Sequence, residues 1–214
     1  MNAPVGITPF QKALSYALQH PLGVGNSLYR LGKHSGWVDH GQHGCFTREI
    51  WKKTQGYSLI PGLRANEDVE LSFRVANQNG KIWLNQNLRM SYFPRKNIVQ
   101  LATQYFHYGI GRFTNHQVSK KALSWRQLIP PFFVGATIAG LLLSVFGILW
   151  PLLSIYTLYI TLILLVMVKA IINQRNIFCC YLLCIFPVIH FFWGLGFLAA
   201  LFINGKVCFR IFSV

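Results

Sequence analysis

Three uncharged apolar runs decide what this chain can become. Residues 130–149, 152–168 and 177–203 contain no Asp, Glu, Lys or Arg. A helix of about 20 residues, rising 1.5 Å per residue, crosses the ~30 Å hydrocarbon core of a bilayer. No polar face recurs at helical spacing in the first two runs, which argues against a buried soluble hairpin. The runs therefore predict three transmembrane helices, separated by Trp150-Pro151 and by the segment carrying Lys169 and Arg175. In the third, Pro187 and His190 predict a kink or a polar contact, while Gly194 and Gly196 predict close helix packing.

The rest of the chain is polar and basic. Residues 1–128 hold 16 of the 20 Lys and Arg residues and all five acids, hence +11 of a net charge of +15. The chain thus divides into a basic domain with an amphipathic connector over 1–128 and a membrane region over 129–214. With 53% hydrophobic and 12% charged residues, disorder and a wholly soluble fold are both poor readings. Five cysteines without paired C-x-x-C spacing support neither a zinc site nor a disulfide framework. Residues 1–10 show no basic stretch followed by an apolar one, so no signal peptide is visible. Lys120, Lys121 and Arg126 precede the first run, and Lys169 and Arg175 lie between the second and third. The positive-inside rule therefore predicts a cytoplasmic basic domain in a multi-pass membrane protein. Three spans would put Lys206 and Arg210 on the far side, against the same rule.

Within the basic domain the signals are mixed α and β. Residues 37–39, 81–84 and 88–93 read as short strands. One helix is expected after Thr47, carrying Ile50 and Trp51 and ending at Gly56. Another is expected after Asn66, with Glu67, Asp68 and Glu70 in its first turn and Val69, Phe73 and Ala76 buried, ending near Gly80. No glycine-rich turn opens a helix and no P-loop is present, so a complete nucleotide-binding half is absent from the sequence. The acid cluster has two readings. Acids at a helix N-terminus offset the macrodipole. Alternatively, one carboxylate kept ionised by free backbone N–H groups serves as a general base.

The ordered segments Pro21-Leu22-Gly23-Val24-Gly25-Asn26, Tyr29-Arg30, Val38-Asp39, Gly44-Cys45-Phe46-Thr47-Arg48-Glu49, Asn66-Glu67-Asp68-Val69-Glu70, Gly80-Lys81-Ile82-Trp83-Leu84, Tyr92-Phe93-Pro94-Arg95 and 104–112 form a recognisable series, closed by His190-Phe191-Phe192-Trp193-Gly194-Leu195-Gly196-Phe197. Over nearly the whole chain this series resembles the second half of inverting family-2 glycosyltransferases, particularly the membrane-anchored succinoglycan-biosynthesis (ExoA-like) group. The resemblance implies a partial α/β GT-A glycosyltransferase domain, the acceptor half, followed by about three transmembrane helices.

It also implies roles. Asp68 would be the base that deprotonates the acceptor hydroxyl, with Glu67 and Glu70 as neighbours. Gly44 and Cys45 would border the donor sugar. Gln104, His107, Tyr108 and Arg112 would meet the acceptor and the departing diphosphate, with Arg95 as a second phosphate ligand. The implied reaction moves a sugar from a nucleotide-sugar donor to a lipid-linked, polyprenyl-borne acceptor at the bacterial inner membrane, in exopolysaccharide or surface polysaccharide synthesis. A divalent metal, Mg or Mn, belongs to the complete enzyme. Two departures stand out: His107-Tyr108 replaces the family's Arg-aromatic pair, and the family's first half with its Asp-x-Asp metal motif is missing. A start at Met1-Asn2-Ala3-Pro4 predicts a fragment, a split product or an internal start, with the missing half on a partner chain. The alternative function is an inactive membrane partner or adaptor that keeps only the acceptor half.

Other groups rank lower. Asp39, His40 and His43 form a weak candidate metal set. Lys52-Lys53 and Lys120-Lys121 read as solvated faces or headgroup contacts. His190 reads as a packed, hydrogen-bonded residue or as a contact for a polyprenyl carrier. Aromatic and basic residues interleave over 92–125, yet the adjoining apolar runs argue against nucleic acid.

Overall fold

The structure, a computed structural model, describes residues 2–25, 27–32, 34–42, 44–58, 60, 65–119 and 123–211, with side chains from residue 3 to residue 203. His43, Arg64, Lys120 and Lys121 lie outside the described residues, as do the side chains of Lys206 and Arg210.

The chain opens with a strand the sequence reading missed, β1 (Asn2–Pro4), followed by α1 (Pro9–Ala17). α1 starts at a capping box: Gln11 N–H donates to Thr8 Oγ1, and Thr8 N–H donates to Gln11 Oε1. The amide of Gln11 then donates to the Pro94 carbonyl at 2.8 Å, fastening α1 to a segment 83 residues away. Two four-residue turns, α2 (Pro21–Val24) and α3 (Leu28–Leu31), lead to β2 (Gly36–Val38). α4 (Arg48–Thr54) begins at the expected Thr47 cap, and α5 (Glu67–Asn77) begins after Asn66. β3 (Ile82–Leu84) pairs antiparallel with β2, and β4 (Met90–Tyr92) pairs parallel with β1. The three expected strands and both expected helices are therefore present.

The buried face of α5 differs from expectation. Val69, Glu70, Leu71, Ser72 and Val75 are buried, Phe73 is half-buried and Ala76 is exposed. One apolar stripe would bury residues 69, 73 and 76 together. α5 instead has neighbours on two sides, α4 and the long helix α6 (Ile98–Ser119), so burial spreads around its circumference.

Among the described residues, three helices are long and apolar enough to cross a membrane: α7 (Trp125–Val145), α8 (Trp150–Gln174), and the third segment Ile177–Ile203. The last combines a short 3-10 turn (Ile177–Tyr181) with α9 (Leu182–Ile211). α7 starts earlier than the uncharged run because a Ser124–Gln127 capping box admits Arg126 into its first turn. α8 runs past Lys169 to Gln174, since one lysine near a helix end does not stop the backbone pattern.

α9 also forms the core of the basic domain. Leu14 and Ala17 of α1 and Leu101 and Tyr105 of α6 are buried with Leu182, Ile185, Phe186 and Ile189. The α6–α9 seam depends on glycine. A Cβ on Gly109 would collide with the Trp193 carbonyl, and one on Gly196 with the Phe106 carbonyl. Gly194 meets the Pro130 carbonyl of α7 in the same way. His190 is a packed residue: Nε2 lies 2.7 Å from the Leu22 carbonyl and Nδ1 2.7 Å from Tyr159 Oη.

Candidate functional site

The turn that presents Asp68 is built by α6. Asn66 has φ 67°, and its side chain does not cap α5. Asn66 Nδ2 donates instead to the Tyr108 carbonyl at 3.0 Å, while Asn115 Nδ2 donates to the Asn66 carbonyl at 2.8 Å. Between these two anchors, Gly111 lets the Ala65 carbonyl approach where any Cβ would collide. Gly109 and Gly111 are about 200° apart around a helix of 3.6 residues per turn. One therefore seats α9 and the other seats the Asp68 turn, on opposite sides of α6.

Asp68 is half-buried. Its Oδ1 accepts from Val69 N–H at 2.9 Å, and its Oδ2 lies 3.8 Å from His40 Nε2. Ser72 hydroxyl donates to the Asp68 carbonyl at 2.8 Å, so the Ser72 oxygen, 3.1 Å from His40 Nδ1, can only accept there. That network assigns the proton of neutral His40 to Nδ1 and leaves Nε2 bare beside Asp68. Burial, together with the Arg112 and Arg30 guanidiniums, pushes the His40 pKa down to about 4. The His40–Asp68 contact is therefore no ion pair near neutral pH. Burial raises the Asp68 pKa, opposed by the amide N–H groups of Val69 and Asp68 and by Arg30 and Arg112. A neutral imidazole beside the carboxyl accepts a hydrogen bond from its protonated form, which favours the state reached after Asp68 takes up a proton.

Arg30 lies in an aromatic enclosure. Its Nε donates to Tyr29 Oη at 3.2 Å, and its guanidinium carbon lies 5.6 Å from the Tyr29 ring centre and 5.8 Å from that of Tyr108. Gln104 Nε2 in turn donates to Tyr108 Oη at 2.8 Å and Tyr92 Oη at 3.3 Å. Two guanidiniums, one carboxyl and a neutral imidazole leave a positive balance suited to an anionic ligand. Beside them opens a cleft of about 480 Å³ walled by β2, α3, α6 and the start of α7, with Tyr29, His40 and Arg112 in its lining.

The sequence-predicted residues divide accordingly. Asp68 and Arg112 interact through their charges, and Gln104 and Tyr108 support Arg30. Glu67 is exposed on the first turn of α5, and His107 is half-buried on α6. Gly44, Cys45 and Arg95 are exposed, and no hydrogen bond or ion pair among the described residues joins them to Asp68. Glu70 faces the other way: it accepts from Arg74 Nε at 2.7 Å, Arg74 Nη2 at 2.8 Å and Ser58 Oγ at 2.8 Å. Arg74 also donates to the Thr54 and Gly56 carbonyls, so this pair fastens the loop after α4 to α5. Glu70→Ala should lower stability by about 2 kcal/mol, less than for a fully buried pair because Arg74 is partly exposed. A thermal melt of the purified variant checks this.

Arg30, Ser72 and Asn115 received no role from sequence, and His40 received only that of a weak candidate metal ligand. Arg30 had one signal, its place after Tyr29 in a recognised segment. The others are remote in sequence and meet only through the fold. Among the described residues no three His, Cys, Asp or Glu side chains gather to hold a metal ion. Asp39 and His40 lie on the cleft wall, but His40 directs its ring nitrogens to Ser72 and Asp68. The divalent ion implied by the resemblance finds no ligand set among the described residues.

The depressed His40 pKa carries a pH prediction. Between pH 6.5 and about 4 the unfolded chain binds a proton that the folded protein refuses, so acidification through this window removes stability. Asp68, with its raised pKa, opposes this at the acid end. Melting temperatures followed over this range should fall more steeply in the wild type than in His40→Gln.

Over 139 residues the chain is 36% identical to the succinoglycan biosynthesis protein ExoA of Rhizobium meliloti (strain 1021), a match covering 63% of this chain and 42% of that protein. The chain contains an ExoA-like portion. It thus spans less than half the length of the relative it matches. No family model matches the chain, and no solved structure does.

Proposed function

We propose that the ExoA-like portion forms the acceptor side of an inverting glycosyltransferase in bacterial exopolysaccharide or surface polysaccharide synthesis. The observation that carries this reading is Asp68: a half-buried carboxylate beside a neutral His40 and close to two guanidiniums, behind the cleft wall that His40 and Arg112 form. The similarity to ExoA supports the same class.

In this reading the acceptor hydroxyl approaches Asp68 Oδ2. Asp68 takes its proton as the oxygen attacks the anomeric carbon of a nucleotide sugar, and the bond from that carbon to the diphosphate oxygen breaks. Arg112, with Arg30, offsets the charge that develops on the diphosphate. The cleft borders the first turn of α7, one of the three membrane-length helices, which suits an acceptor carried on a lipid. The basic domain then faces the cytoplasm, where nucleotide sugars are made.

The test is transfer of radiolabelled sugar from uridine- and guanosine-diphosphate sugars to bacterial lipid extract by membranes carrying the chain, alone and together with the part of an ExoA-type protein that this chain does not span. No lipid-soluble label under either condition would overturn the reading. Arg112→Ala should lower turnover about tenfold to a hundredfold by removing one charge-assisted contact to the leaving group. Single-turnover kinetics will show whether the loss lies in the chemical step.

A further inference from the structure

We propose that Trp37 is the platform for the acceptor's sugar ring, which it stacks within reach of His40 and Asp68. The identity of the ligand rests on the transferase reading; the platform itself rests on the structure. Trp37 lies opposite Trp83 in the β2–β3 register, their ring centres 4.9 Å apart and nearly perpendicular. Lys81 Nζ lies 5.7 Å from the centre of the Trp37 ring. These contacts hold the indole, yet 62% of Trp37 stays exposed, and it lines the cleft that holds Arg112 and His40.

A cross-strand pair made only to stabilise a sheet has no need of such a setting. A largely exposed indole on a cleft with both polar and apolar lining suits a ligand with apolar C–H faces and a polar rim, and a pyranose ring has both. Trp37 and His40 are three residues apart, so their Cα atoms are separated by at most about 10 Å. One sugar ring fits that interval, which would bring its hydroxyl to the bare Nε2 of His40 and to Asp68 Oδ2.

A second observation points to the same ligand. Asn115 is 1% exposed and lines this cleft; its Nδ2 is committed to the Asn66 carbonyl, and its Oδ1 is buried with no hydrogen-bond partner. Because the amide hydrogens fix the orientation of the carboxamide, Oδ1 requires a donor. Oδ1 is closed to solvent in this state, so a ring hydroxyl supplies that donor by displacing the packing over it.

The test uses the full chain in a sugar-free detergent, with saturation-transfer NMR on methyl β-D-glucopyranoside, methyl β-D-galactopyranoside and uridine. At least one glycoside should bind, about tenfold more weakly to Trp37→Leu, while Trp37→Phe, which keeps an aromatic face, stays close to wild type. Equal binding by the Leu and Phe variants, or no glycoside binding at all, overturns the platform. Uridine binding that Trp37→Leu removes, with glycosides unaffected, overturns it too, since the ring would then be a nucleobase shelf. Trp37-dependent glycoside binding without sugar transfer keeps the platform and removes the transferase reading. Transfer by Trp37→Leu with an unchanged acceptor KM does the reverse. Among monodeoxy versions of the bound glycoside, one should lose about tenfold in affinity; equal binding by all of them removes Asn115 from the site.

Discussion

Asp68→Asn should reduce sugar transfer by ~10²–10⁴ while leaving membrane insertion and donor binding close to wild type. Asparagine has nearly the same shape as aspartate and can retain the 2.9 Å contact with Val69 N–H through its carbonyl oxygen. What it lacks is the ability to take a proton from the acceptor hydroxyl. The wild-type rate should also fall on acidification through a carboxyl pKa raised by burial above its ordinary 3.8, whereas the Asn variant should lack that limb. Wild-type-like turnover by Asp68→Asn would remove Asp68 from the chemistry. His40→Gln separates a tuning role from a purely structural one, because it should displace the acid limb, and a merely packed His40 would not.

Gly111→Val should be nearly as damaging, although this residue touches no substrate. Its Cβ would collide with the Ala65 carbonyl, and that backbone cannot yield without moving the turn that carries Asp68. The turn is also held by Asn66 Nδ2 to the Tyr108 carbonyl and by Asn115 Nδ2 to the Asn66 carbonyl. Displacing α5 by about 1 Å strains both bonds and misaligns the base, for a loss on the order of 10²-fold in rate. Overpacking adds about 1–3 kcal/mol of destabilisation. Gly135→Ala on α7, where a Cβ meets open space, is the control and should leave both transfer and melting unchanged. Full activity of Gly111→Val would mean that the turn tolerates displacement and that the α6 clamp does not position Asp68.

Much of the local structure was legible because its causes are local. Thr47 caps α4, a cross-strand pattern marks residues 37–39 and 81–84, and long uncharged runs mark the membrane-length helices. The span limits shifted because lack of charge is a poor proxy for a helix end: a capping box at Ser124 and a helix continuing through Lys169 set them instead. β1 escaped notice because three residues carry too little pattern, and its partner, β4, is distant in sequence.

The acid cluster shows where sequence stopped. Its spacing singled out Glu67, Asp68 and Glu70 but could not divide their labour, since all three share one helical turn. The resemblance named Asp68 as the base, and the fold gives the three acids different neighbours. Arg74 and Ser58 take Glu70 into the fold, solvent keeps Glu67, and His40, Arg30 and Arg112 surround Asp68. A charge's environment depends on groups within several ångströms, and here these come from residues 30, 40 and 112.

The apolar third segment makes the same division. Its composition alone determined that it would be helical and excluded from water, because exposed apolar side chains are costly in water and an unpaired backbone is costly away from it. Which apolar surroundings it has was decided by tertiary structure: 39% of its most apolar window is buried inside the protein, against 11% for α8. The physical reason is the paired glycines Gly109 and Gly196, which let α6 approach the α9 backbone closely. Hydropathy records that a side chain avoids water, but not whether lipid or another helix replaces it.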